Sequence, residues 1–416
     1  MLKLNKTAIL SSVGAGLEYY DFIIYAFLAQ YIGVQFFPDK EHYISLIAAF
    51  GFFAVGYFVR PVGGIIFGIL GDKYGRKRVF LVSIQIMAFS TFIMGFVPSY
   101  HSIGIWGTVI FIVLRLIQGI AFGAELPGAT TFITEHSSRE RRGLNCAIMI
   151  SLVTLGVMLG SATVFILTKL LSESRILDWG WRIPFIIGGL LAVVAYFIRV
   201  NTEESPYFKK IKQKTGNPFL KLLFKYPGKL FYCFCLMLLP STMVMFVLVM
   251  PTYLEKVYHF KQQDVYLAIS IGYGWSFFTL LLFGYLSDYI KRKKLYIYTT
   301  AAFILLFFSI FKLLNIDGFY SLLIFVFIYQ TFLSLMTVCI YPLLAENFPT
   351  EIRFTGVAVC YNLVYALTSL IPLLVNFLYN VFSYKITVLL LLLSIALISL
   401  ASSFFIKDYT GKQMLD

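Results

Sequence analysis

The sequence predicts an all-α membrane protein with 12 transmembrane helices, arranged as two six-helix pseudo-symmetric halves. Three observations predict this fold. The 416 residues are 59% hydrophobic and only 13% charged, whereas soluble domains carry about 25% charged residues. Apolar runs of roughly 20 residues, long enough to span a bilayer, recur along the whole chain. One acidic-to-basic turn also occurs twice, at an offset of 216 residues.

The predicted spans follow one another through short polar loops. The first half contains residues 7–37, 44–70, 79–97, 104–133, 142–170 and 181–199, and the second half contains residues 229–257, 265–287, 295–313, 319–345, 355–381 and 385–406. One long polar stretch separates the two sets. We therefore expect an N-terminal six-helix bundle in residues 1–200, a cytoplasmic loop between the halves in residues 201–228, and a C-terminal six-helix bundle in residues 229–416.

The repeated turn indicates an internal duplication. Its first copy reads Gly68-Ile69-Leu70-Gly71-Asp72-Lys73-Tyr74-Gly75-Arg76-Lys77, and its second reads Gly284-Tyr285-Leu286-Ser287-Asp288-Tyr289-Ile290-Lys291-Arg292-Lys293. A second pair of landmarks supports the repeat, because Glu135 precedes Arg142 by seven residues, as Glu346 precedes Arg353. Duplicated halves with ionisable groups confined to one of them are typical of secondary transporters.

The net charge of +14 is a signal of membrane topology. When basic residues are assigned to alternate loops, one side holds 24 and the other holds 8, with Arg60 and Arg115 inside helices. The positive-inside rule then places both termini in the cytoplasm. Because the basic excess follows the loops, we expect no nucleic-acid partner. Lys3 and Lys6 precede an apolar run that Glu18 and Asp21 interrupt, so we expect a retained first helix rather than a cleaved signal.

The sequence favours neither an enzyme nor a cofactor-dependent protein. The five cysteines fall in apolar segments without metal-ligand spacing, so we expect no metal. The chain contains no phosphate-binding loop of the Gly-x-x-x-x-Gly-Lys-Ser/Thr type, which argues against an ATP-driven pump. We also find no nucleophile–base set and therefore predict no catalytic residues and no cofactor.

Five charged residues lie in predicted spans away from the span ends: Glu18 and Asp21 in the first, Arg60 in the second, and Arg115 and Glu125 in the fourth. A charge at a helix centre costs about 2.5–3.5 kcal/mol on insertion scales, and such residues are usually functional. We predict that Asp21, Arg115 and Glu125 couple protons. An Asp21–Arg115 pair that forms and parts in each cycle would take up and release a proton, while Glu125 pairs with Arg60 or lines a vestibule. A fixed ion pair that only joins helices 1 and 4 is the alternative.

The predicted substrate site combines cations with aromatic residues. Its candidate residues are Glu18, Tyr25, Arg60, Gln118, Trp275, Tyr329, Tyr361, Asn362 and Tyr365. Arg60 and Arg115 could hold a carboxylate, and Tyr25, Trp275, Tyr361 and Tyr365 could face an ammonium group through cation–π contact, worth about 0.5–2 kcal/mol. This combination favours a zwitterion such as an amino acid, proline or betaine.

The repeated turns predict a cytoplasmic gate. Asp72 can accept hydrogen bonds from backbone N–H groups at the start of a neighbouring helix, and Arg76 can reach Glu135. The predicted gate residues are Gly68, Asp72, Gly75, Arg76, Glu135, Arg142, Asp288, Arg292, Glu346 and Arg353. The alternative is a solvated basic loop that only sets topology.

Several of these motifs resemble those of the major facilitator superfamily. Gly68-x-Leu70-x-Asp72-x-x-Gly75-Arg76-Lys77 resembles its signature loop, with Lys73 where arginine is usual and Lys291 in place of glycine in the second copy. Arg115-x-x-Gln118-Gly119 resembles a helix 4 motif associated with proton coupling. Glu346-x-Phe348-Pro349-Thr350-x-x-Arg353-x-x-Gly356 is similar to the end of helix 10 in sugar-porter-like members.

A narrower resemblance is to the metabolite:proton symporters, which include proline/betaine, shikimate, citrate and α-ketoglutarate transporters. The motifs that carry it are Glu18-Tyr19-Tyr20-Asp21-Phe22, Arg60-Pro61-x-Gly63-Gly64, Gly123-x-Glu125, Trp181-Arg182-x-Pro184-Phe185 and Glu204-Ser205-Pro206. The resemblance implies proton-driven uptake of a small organic solute by a monomeric, multi-pass protein of the bacterial inner membrane. About ten residues follow the last predicted span, so we expect no osmotic activation through a coiled-coil tail. An uncoupled facilitator, a symporter of dicarboxylates or other organic acids, and a non-transporting receptor remain alternatives.

Overall fold

The computed structural model of the chain describes residues 6–37, 42–210, 216–316, 318–371, 374 and 384–414, which form twelve long helices joined by turns and short helices. The first half contains α1 (Lys6–Phe27), α2 (His42–Tyr74), α3 (Arg76–Met94), α4 (Ile105–His136), α5 (Arg142–Leu170) and α6 (Arg182–Val200). The second half contains α7 (Pro227–Tyr258), α8 (Gln262–Tyr289), α9 (Arg292–Lys312), α10 (Phe319–Asn347), α11 (Arg353–Thr368) and α12 (Tyr384–Ser403). The predicted all-α fold is confirmed.

Helix ends follow the ends of the apolar runs. The helix α5 spans the predicted residues 142–170, whereas the first predicted span divides at Leu28 into α1 and the short helix Ala29–Phe36. Residues 375–383, which contain the end of the predicted span 355–381, lie outside the described residues. Nine helices within the described ranges are long and apolar enough to cross a membrane by length and composition.

The polar stretch between the halves is partly helical rather than a simple loop. It contains the short helices Pro206–Lys209 and Pro218–Lys225, and residues 211–215 lie outside the described residues. Each short helix starts with proline, and the side chain before it, Ser205 or Asn217, accepts a hydrogen bond from a first-turn backbone N–H. A polar cap followed by proline is a strong signal for a helix start. The polar composition of the whole stretch nevertheless predicts a loop.

The two halves meet along two helix pairs related by the duplication. The helix α2 packs against α11, and α5 packs against α8. Both contacts use the glycine that begins the repeated turn. A Cβ at Gly68 would lie 2.8 Å from Thr355 Cα, and a Cβ at Gly284 would lie 2.2 Å from Ala147 Cβ. Glycine therefore allows the two halves to approach to backbone distance, as small residues do between membrane helices.

The outer surface of the bundle is apolar and the interior holds the charges. Large hydrophobic side chains such as Leu305, Tyr320 and Phe278 are 81%, 80% and 68% exposed. Arg60, Arg76, Arg115, Arg142, Arg199, Arg292 and Arg353 are all among the largest fully buried side chains. Soluble proteins show the opposite pattern, with charged residues outside and apolar residues inside. An apolar exterior is expected when lipid surrounds the protein.

Candidate functional site

Two clusters of buried charges lie at one end of the bundle, which we term the basic end. This end is formed by the C-terminal ends of α2, α4, α6, α8 and α10 and the N-terminal ends of α3, α5, α9 and α11. We term Asp72, Arg76, Glu135 and Arg353 the first latch. The second latch consists of their repeat equivalents Asp288, Arg292, Glu346 and Arg142. All eight side chains are at most 1% exposed.

The first latch joins the first half to the start of α11. Asp72 Oδ1 accepts from Phe354 N at 3.2 Å, while its Oδ2 accepts from Thr355 N at 2.9 Å and from Thr355 Oγ1 at 2.8 Å. These N–H groups belong to the first turn of a helix, which has no internal acceptors for them and whose dipole favours a negative charge. The predicted contact of Asp72 with a helix start is therefore present.

Arginines complete the first latch from both halves. Arg76 lies 3.3 Å from Glu135 and donates to the backbone oxygen of Thr350 at 2.6 Å. Arg353 Nη1 lies 2.6 Å from Glu135 Oε1, so one carboxylate holds an arginine from each half. Ser205 Oγ also donates to Glu135 Oε2. The expected Arg76–Glu135 contact is present, and the Arg353 contact adds a further bond between the halves.

The second latch repeats this geometry in reverse. Asp288 accepts from Gly143 N at 2.7 Å and from Leu144 N at 2.9 Å, at the start of α5. Arg292 contacts Asp288 at 2.8 Å and Glu346 at 2.7 Å, and Arg142 contacts the same Glu346 oxygen at 3.1 Å. Each half therefore supplies one acid that binds a helix start of the other half.

A further pair of acids, which are absent from the predicted gate, caps the helices that follow the latches. Glu204 accepts from Arg76 N at 3.2 Å and from Lys77 N at 3.1 Å, at the start of α3. Asp408 accepts from Lys293 N at 3.2 Å, at the start of α9. Glu204 follows α6 and Asp408 follows α12, so the two acids hold corresponding places in the repeat.

The chain segment after α12 also reaches the second latch. The backbone oxygen of Lys412 accepts from Arg142 Nη1 at 2.9 Å, and Thr410 Oγ1 accepts from Arg292 N at 3.1 Å. Partial burial and the neighbouring Glu346 carboxylate raise the pKa of the Tyr409 hydroxyl. Residues 408–412 are therefore part of the basic end.

Arg60 stands at the contact between the halves, inside a cage of aromatic rings. Its Cζ atom lies 4.7–5.6 Å from the ring centroids of Phe22, Tyr57, Phe122, Tyr361 and Tyr365. Cations are attracted to ring faces at such distances. The Arg60 guanidinium is thus held by ring faces from α1, α2 and α4 of the first half and from α11 of the second.

The outer edge of the Arg60 guanidinium is unused. Its Nε donates to Asn362 Oδ1 at 3.3 Å, which links α2 to α11. Its two terminal nitrogens lie near the Tyr361 hydroxyl, but neither these nitrogens nor that hydroxyl has a partner within hydrogen-bond geometry among the described residues. Buried polar atoms in proteins are normally hydrogen-bonded, so these nitrogens require a partner other than the described residues.

A cavity of about 120 Å³ lies beside this cage and is lined from both halves. Its polar lining includes Tyr19, Tyr273, Gln330, Tyr341, Tyr361 and Tyr365. Drug-sized ligands need about 300 Å³ or more, so this cavity admits only a small solute. Tyr19, Tyr273 and Tyr341 are absent from the predicted substrate site, because aromatic residues are too frequent in this chain for any one of them to stand out.

The predicted Asp21–Arg115 pair is not formed in this structure. Gln118 stands between the two groups, where it accepts from Arg115 Nη1 at 2.5 Å and donates to Thr91 Oγ1 at 2.7 Å. The Asp21 carboxylate turns toward α6, where a Cβ at Gly188 would lie 2.4 Å from its Oδ1. Both Asp21 carboxylate oxygens are buried without a hydrogen-bond partner among the described residues.

Of the two alternatives predicted for Glu125, the pairing with Arg60 is not formed, because both Glu125 and Glu18 bind Arg199. Arg199 Nη1 lies 2.9 Å from Glu125 Oε2, and its Nη2 lies 2.9 Å from Glu18 Oε2. Arg199 is the last residue of the predicted span 181–199, and the structure buries it in the last turn of α6. Glu18 accordingly lies away from the cavity, contrary to its prediction as a substrate ligand.

Six other predicted substrate residues also lie outside the cavity lining, among them Arg60 and Asn362, which bind each other beside the cavity. Trp275 is 41% exposed and stacks on Phe327. Tyr329 is buried within the second half, where its hydroxyl donates to the Met243 backbone oxygen at 2.9 Å. Tyr25 and Gln118 support Arg115 instead, with the Tyr25 ring 4.4 Å from the Arg115 Cζ. Helical spacing shows which residues share a helix face, but it does not show whether that face points toward the cavity.

Two pseudo-symmetric helical halves that enclose a cavity and are joined at one end by matched latches define a membrane transporter rather than an enzyme. The sequence profile of the Major Facilitator Superfamily matches residues 11–371, and the chain belongs to this superfamily. The family resemblance drawn from the motifs is confirmed. The protein is a multi-pass membrane protein with bacterial relatives and acts on a small molecule.

Known transporters resemble the chain over most of its length. It is 32% identical over 392 residues to the proline/betaine transporter of Escherichia coli strain K12, a match that covers 89% of this chain and 77% of that protein. It is 30% identical to the glycine betaine/proline/ectoine/pipecolic acid transporter OusA of Dickeya dadantii strain 3937, over 99% of this chain and 85% of that protein. The structure of the proton:xylose symporter XylE bound to 6-bromo-6-deoxy-D-glucose gives a TM-score of 0.78 at 16% identity, covering 98% of this chain and 97% of that one. At this low identity the structural likeness shows the fold alone.

Proposed function

We propose that this protein is a proton-coupled symporter that takes up a small zwitterion, such as an amino acid, proline or betaine, by alternating access. The observation that carries the proposal is the unused guanidinium edge of Arg60 beside a cavity rich in tyrosine. The relatives are named as transporters of proline and betaine, and these names support the same class of solute. The positive-inside rule supports a cytoplasmic basic end with both termini in the cytoplasm of a bacterial inner membrane. We infer that the transporting unit is a monomer.

The substrate carboxylate binds Arg60 in this proposal. A guanidinium binds a carboxylate through two parallel hydrogen bonds, and such charge-assisted pairs are roughly twice as strong as neutral ones. Aromatic rings surround the guanidinium, and its terminal nitrogens, which have no partner within hydrogen-bond geometry among the described residues, are the donors that the ligand would use. The ammonium or quaternary ammonium group then faces the tyrosine rings of the cavity, where cation–π contact contributes about 0.5–2 kcal/mol.

Protons couple to this movement through Asp21, Arg115 and Glu125. Asp21 is buried without a hydrogen-bond partner among the described residues, and a bare carboxylate in such a place is costly. A proton on Asp21 relieves that cost, and its release is favoured when a cation such as Arg115 approaches. Gln118, which contacts both Arg115 and the Asp21 backbone, is placed to move between the two arrangements.

The latches provide the gate. Both bridge the two halves at the basic end, so an opening toward the cytoplasm must break the Asp72 and Asp288 contacts. Rocking of one half against the other around a fixed site is the general form of alternating access in duplicated transporters. Both latches are formed in this structure, which supports a state that is closed at this end.

The test is uptake into proteoliposomes with an imposed inward proton gradient. Labelled proline, glycine betaine, α-ketoglutarate and citrate would be compared. We expect uphill accumulation of a zwitterion that an uncoupler abolishes. Accumulation of α-ketoglutarate or citrate alone would contradict the zwitterion, and equilibration that ignores the gradient would indicate a facilitator.

Two variants make the test specific. Arg60→Lys keeps the charge but removes the fork, so we expect at least a tenfold loss of apparent affinity, corresponding to about 1.4 kcal/mol. Asp21→Asn should abolish accumulation while exchange of labelled for unlabelled solute continues. Full accumulation by Asp21→Asn would remove Asp21 from the coupling role. Lys256→Gln, far from the cage in the last turn of α7, is the matched control for loss of a basic side chain.

A further inference from the structure

Three buried charges from three helices meet inside the first half. Glu18 comes from α1, Glu125 from α4 and Arg199 from α6, and each acid contacts the arginine at 2.9 Å. Each side chain is at most 2% exposed. The space for Arg199 is built into α1, because a Cβ at Gly14 would lie 2.8 Å from Arg199 Nε. We term these residues the Glu–Arg–Glu cluster.

The cluster carries more acid than base. Two carboxylates share one guanidinium, and Asp21, one turn further along α1, adds a third acid nearby. The helix α3 contributes the uncharged ring of Phe80, whose centroid lies 4.3 Å from Arg199 Cζ. The helix α5 approaches α1 through glycine backbone, where a Cβ at Gly156 would lie 2.1 Å from the Gly16 oxygen. Among the described residues, no cation other than Arg199 forms an ion pair with Glu18 or Glu125.

The unused oxygens of the two acids point to a proton. Glu18 Oε1 and Glu125 Oε1 are both buried without a hydrogen-bond partner among the described residues. The two carboxyl groups are close enough for one to hydrogen-bond the other once a proton is present. Carboxylates that share a site do not both ionise readily, since like charges repel strongly where water is excluded. One proton makes the cluster neutral and gives both free oxygens a partner.

We propose that the Glu–Arg–Glu cluster binds one proton, shared between Glu18 and Glu125, as a proton-binding site separate from Asp21. Its use in symport rests on the proposed function, whereas its occupancy by a proton does not. Release transfers the proton from a carboxyl oxygen to water and leaves the cluster with one net negative charge.

The position of the cluster connects proton release to the gate. Glu125 precedes Glu135 of the first latch by ten residues on α4, a distance of about 15 Å along the helix. Arg199 lies in the last turn of α6, at the basic end. Opening of the first latch therefore brings water toward the cluster, and the proton leaves on that side of the membrane.

Infrared spectroscopy of the full-length protein in liposomes, without solute, tests the proposal directly. A protonated carboxyl group has a carbonyl stretching band that a carboxylate lacks. In an Asp21→Asn background, we expect Glu18→Gln and Glu125→Gln each to remove one such band, since the remaining acid ionises against Arg199. Arg199→Gln should add one band, because both acids then hold protons.

Control variants keep the test decisive. Glu203→Gln, at a side chain that is 83% exposed, should leave the carboxyl bands unchanged. Glu18→Asp and Glu125→Asp, which keep the charge if a glutamine variant fails to fold, should shift the band rather than remove it. An unchanged spectrum in both glutamine variants, or in both aspartate variants, would overturn the proposal. Uptake measured on the same liposomes separates the two ideas, because a normal band pattern without proton-driven accumulation would contradict symport and leave the proton site intact.

Discussion

The two latches have the same plan but differ in completeness. In both, an aspartate binds the start of a helix in the opposite half, and a glutamate holds two arginines. From the opposite half Asp72 accepts three hydrogen bonds, including one from the Thr355 hydroxyl, whereas Asp288 accepts two, both from the backbone of α5. Both Glu135 oxygens have partners, but Glu346 Oε2 has none among the described residues. The duplication has kept the ionic contacts and allowed their surroundings to diverge.

The turns that carry the latches also differ in backbone conformation. Gly75 has a φ of 113°, and a Cβ there would lie 2.3 Å from Glu204 Oε2. Its repeat equivalent, Lys291, has a φ of −54°. The second latch nevertheless forms the same ionic contacts. Latch geometry therefore depends on the acids and helix starts, and the glycine serves the approach of Glu204.

The largest expected effect comes from removing the central acid of each latch. Glu135→Gln leaves Arg76 and Arg353 buried with a neutral partner, and loss of one member of a buried ion cluster costs about 3–5 kcal/mol. We expect a lower thermal unfolding midpoint in detergent for Glu135→Gln than for Glu346→Gln, because Glu135 uses both oxygens. Equal losses would mean that the extra contacts of the first latch do not contribute to stability. Glu173→Gln, in a short helix away from both latches, is the control.

A smaller effect is expected when the charge at the helix start is removed. Asp72→Asn keeps one acceptor but loses the charge opposite the α11 dipole, which is worth up to about 2 kcal/mol in buried geometries. Hydrogen exchange of the Phe354 and Thr355 amides should accelerate about 5- to 30-fold. Solute affinity should stay unchanged.

The companion variant Asp288→Asn should accelerate exchange at Gly143 and Leu144. Because both latches bridge the same two halves, each variant should also raise exchange at the other latch, but less. Exchange that changes only at the mutated latch would show that the latches open independently.

The contrast between Gly75 and Lys291 predicts an unequal response to alanine. Gly75→Ala forces a side chain into a φ that costs roughly 1–2 kcal/mol and into contact with Glu204. Lys291→Ala should be nearly neutral. The measurement is the rate of solute exchange together with the thermal unfolding midpoint of both variants. If Lys291→Ala lowers these quantities as much as Gly75→Ala does, the strain does not belong to the first turn.

The smallest expected effect comes from a substitution that makes the first latch more similar to the second. Thr355→Val removes one hydroxyl hydrogen bond to Asp72 while its shape is kept, and leaves the two backbone bonds in place. A single hydrogen bond of this kind contributes about 0.5–1.5 kcal/mol. Exchange at Phe354 should rise toward the rate at Gly143, and Thr350→Val, which keeps the backbone oxygen that binds Arg76, is the control.

The sequence predicts the latches well and the interior poorly, for a physical reason. Asp72, Arg76 and Glu135 sit at helix ends that apolar periodicity locates to a few residues, and the repeat supplies their partners. Arg199 also sits at a helix end, but its long side chain turns back into the bundle, and nothing local fixes that direction. Asp21 and Arg115 occupy plausible faces for a pair, yet Gln118 takes the space between them. Which side chains meet inside a helical bundle depends on helix rotation, which hydrophobicity alone does not specify when lipid surrounds the outside.

The contacts of residues 408–412 with the second latch have a consequence for the order in which the basic end is completed during biosynthesis. A chain made from its N-terminus exposes Arg76, Glu135 and Arg142 before α11 exists, and the acid that Arg142 binds, Glu346, arrives late. Asp408, Thr410 and Lys412 arrive later still. The contacts that exclude water from the second latch are therefore complete only after residues 408–412 have been made.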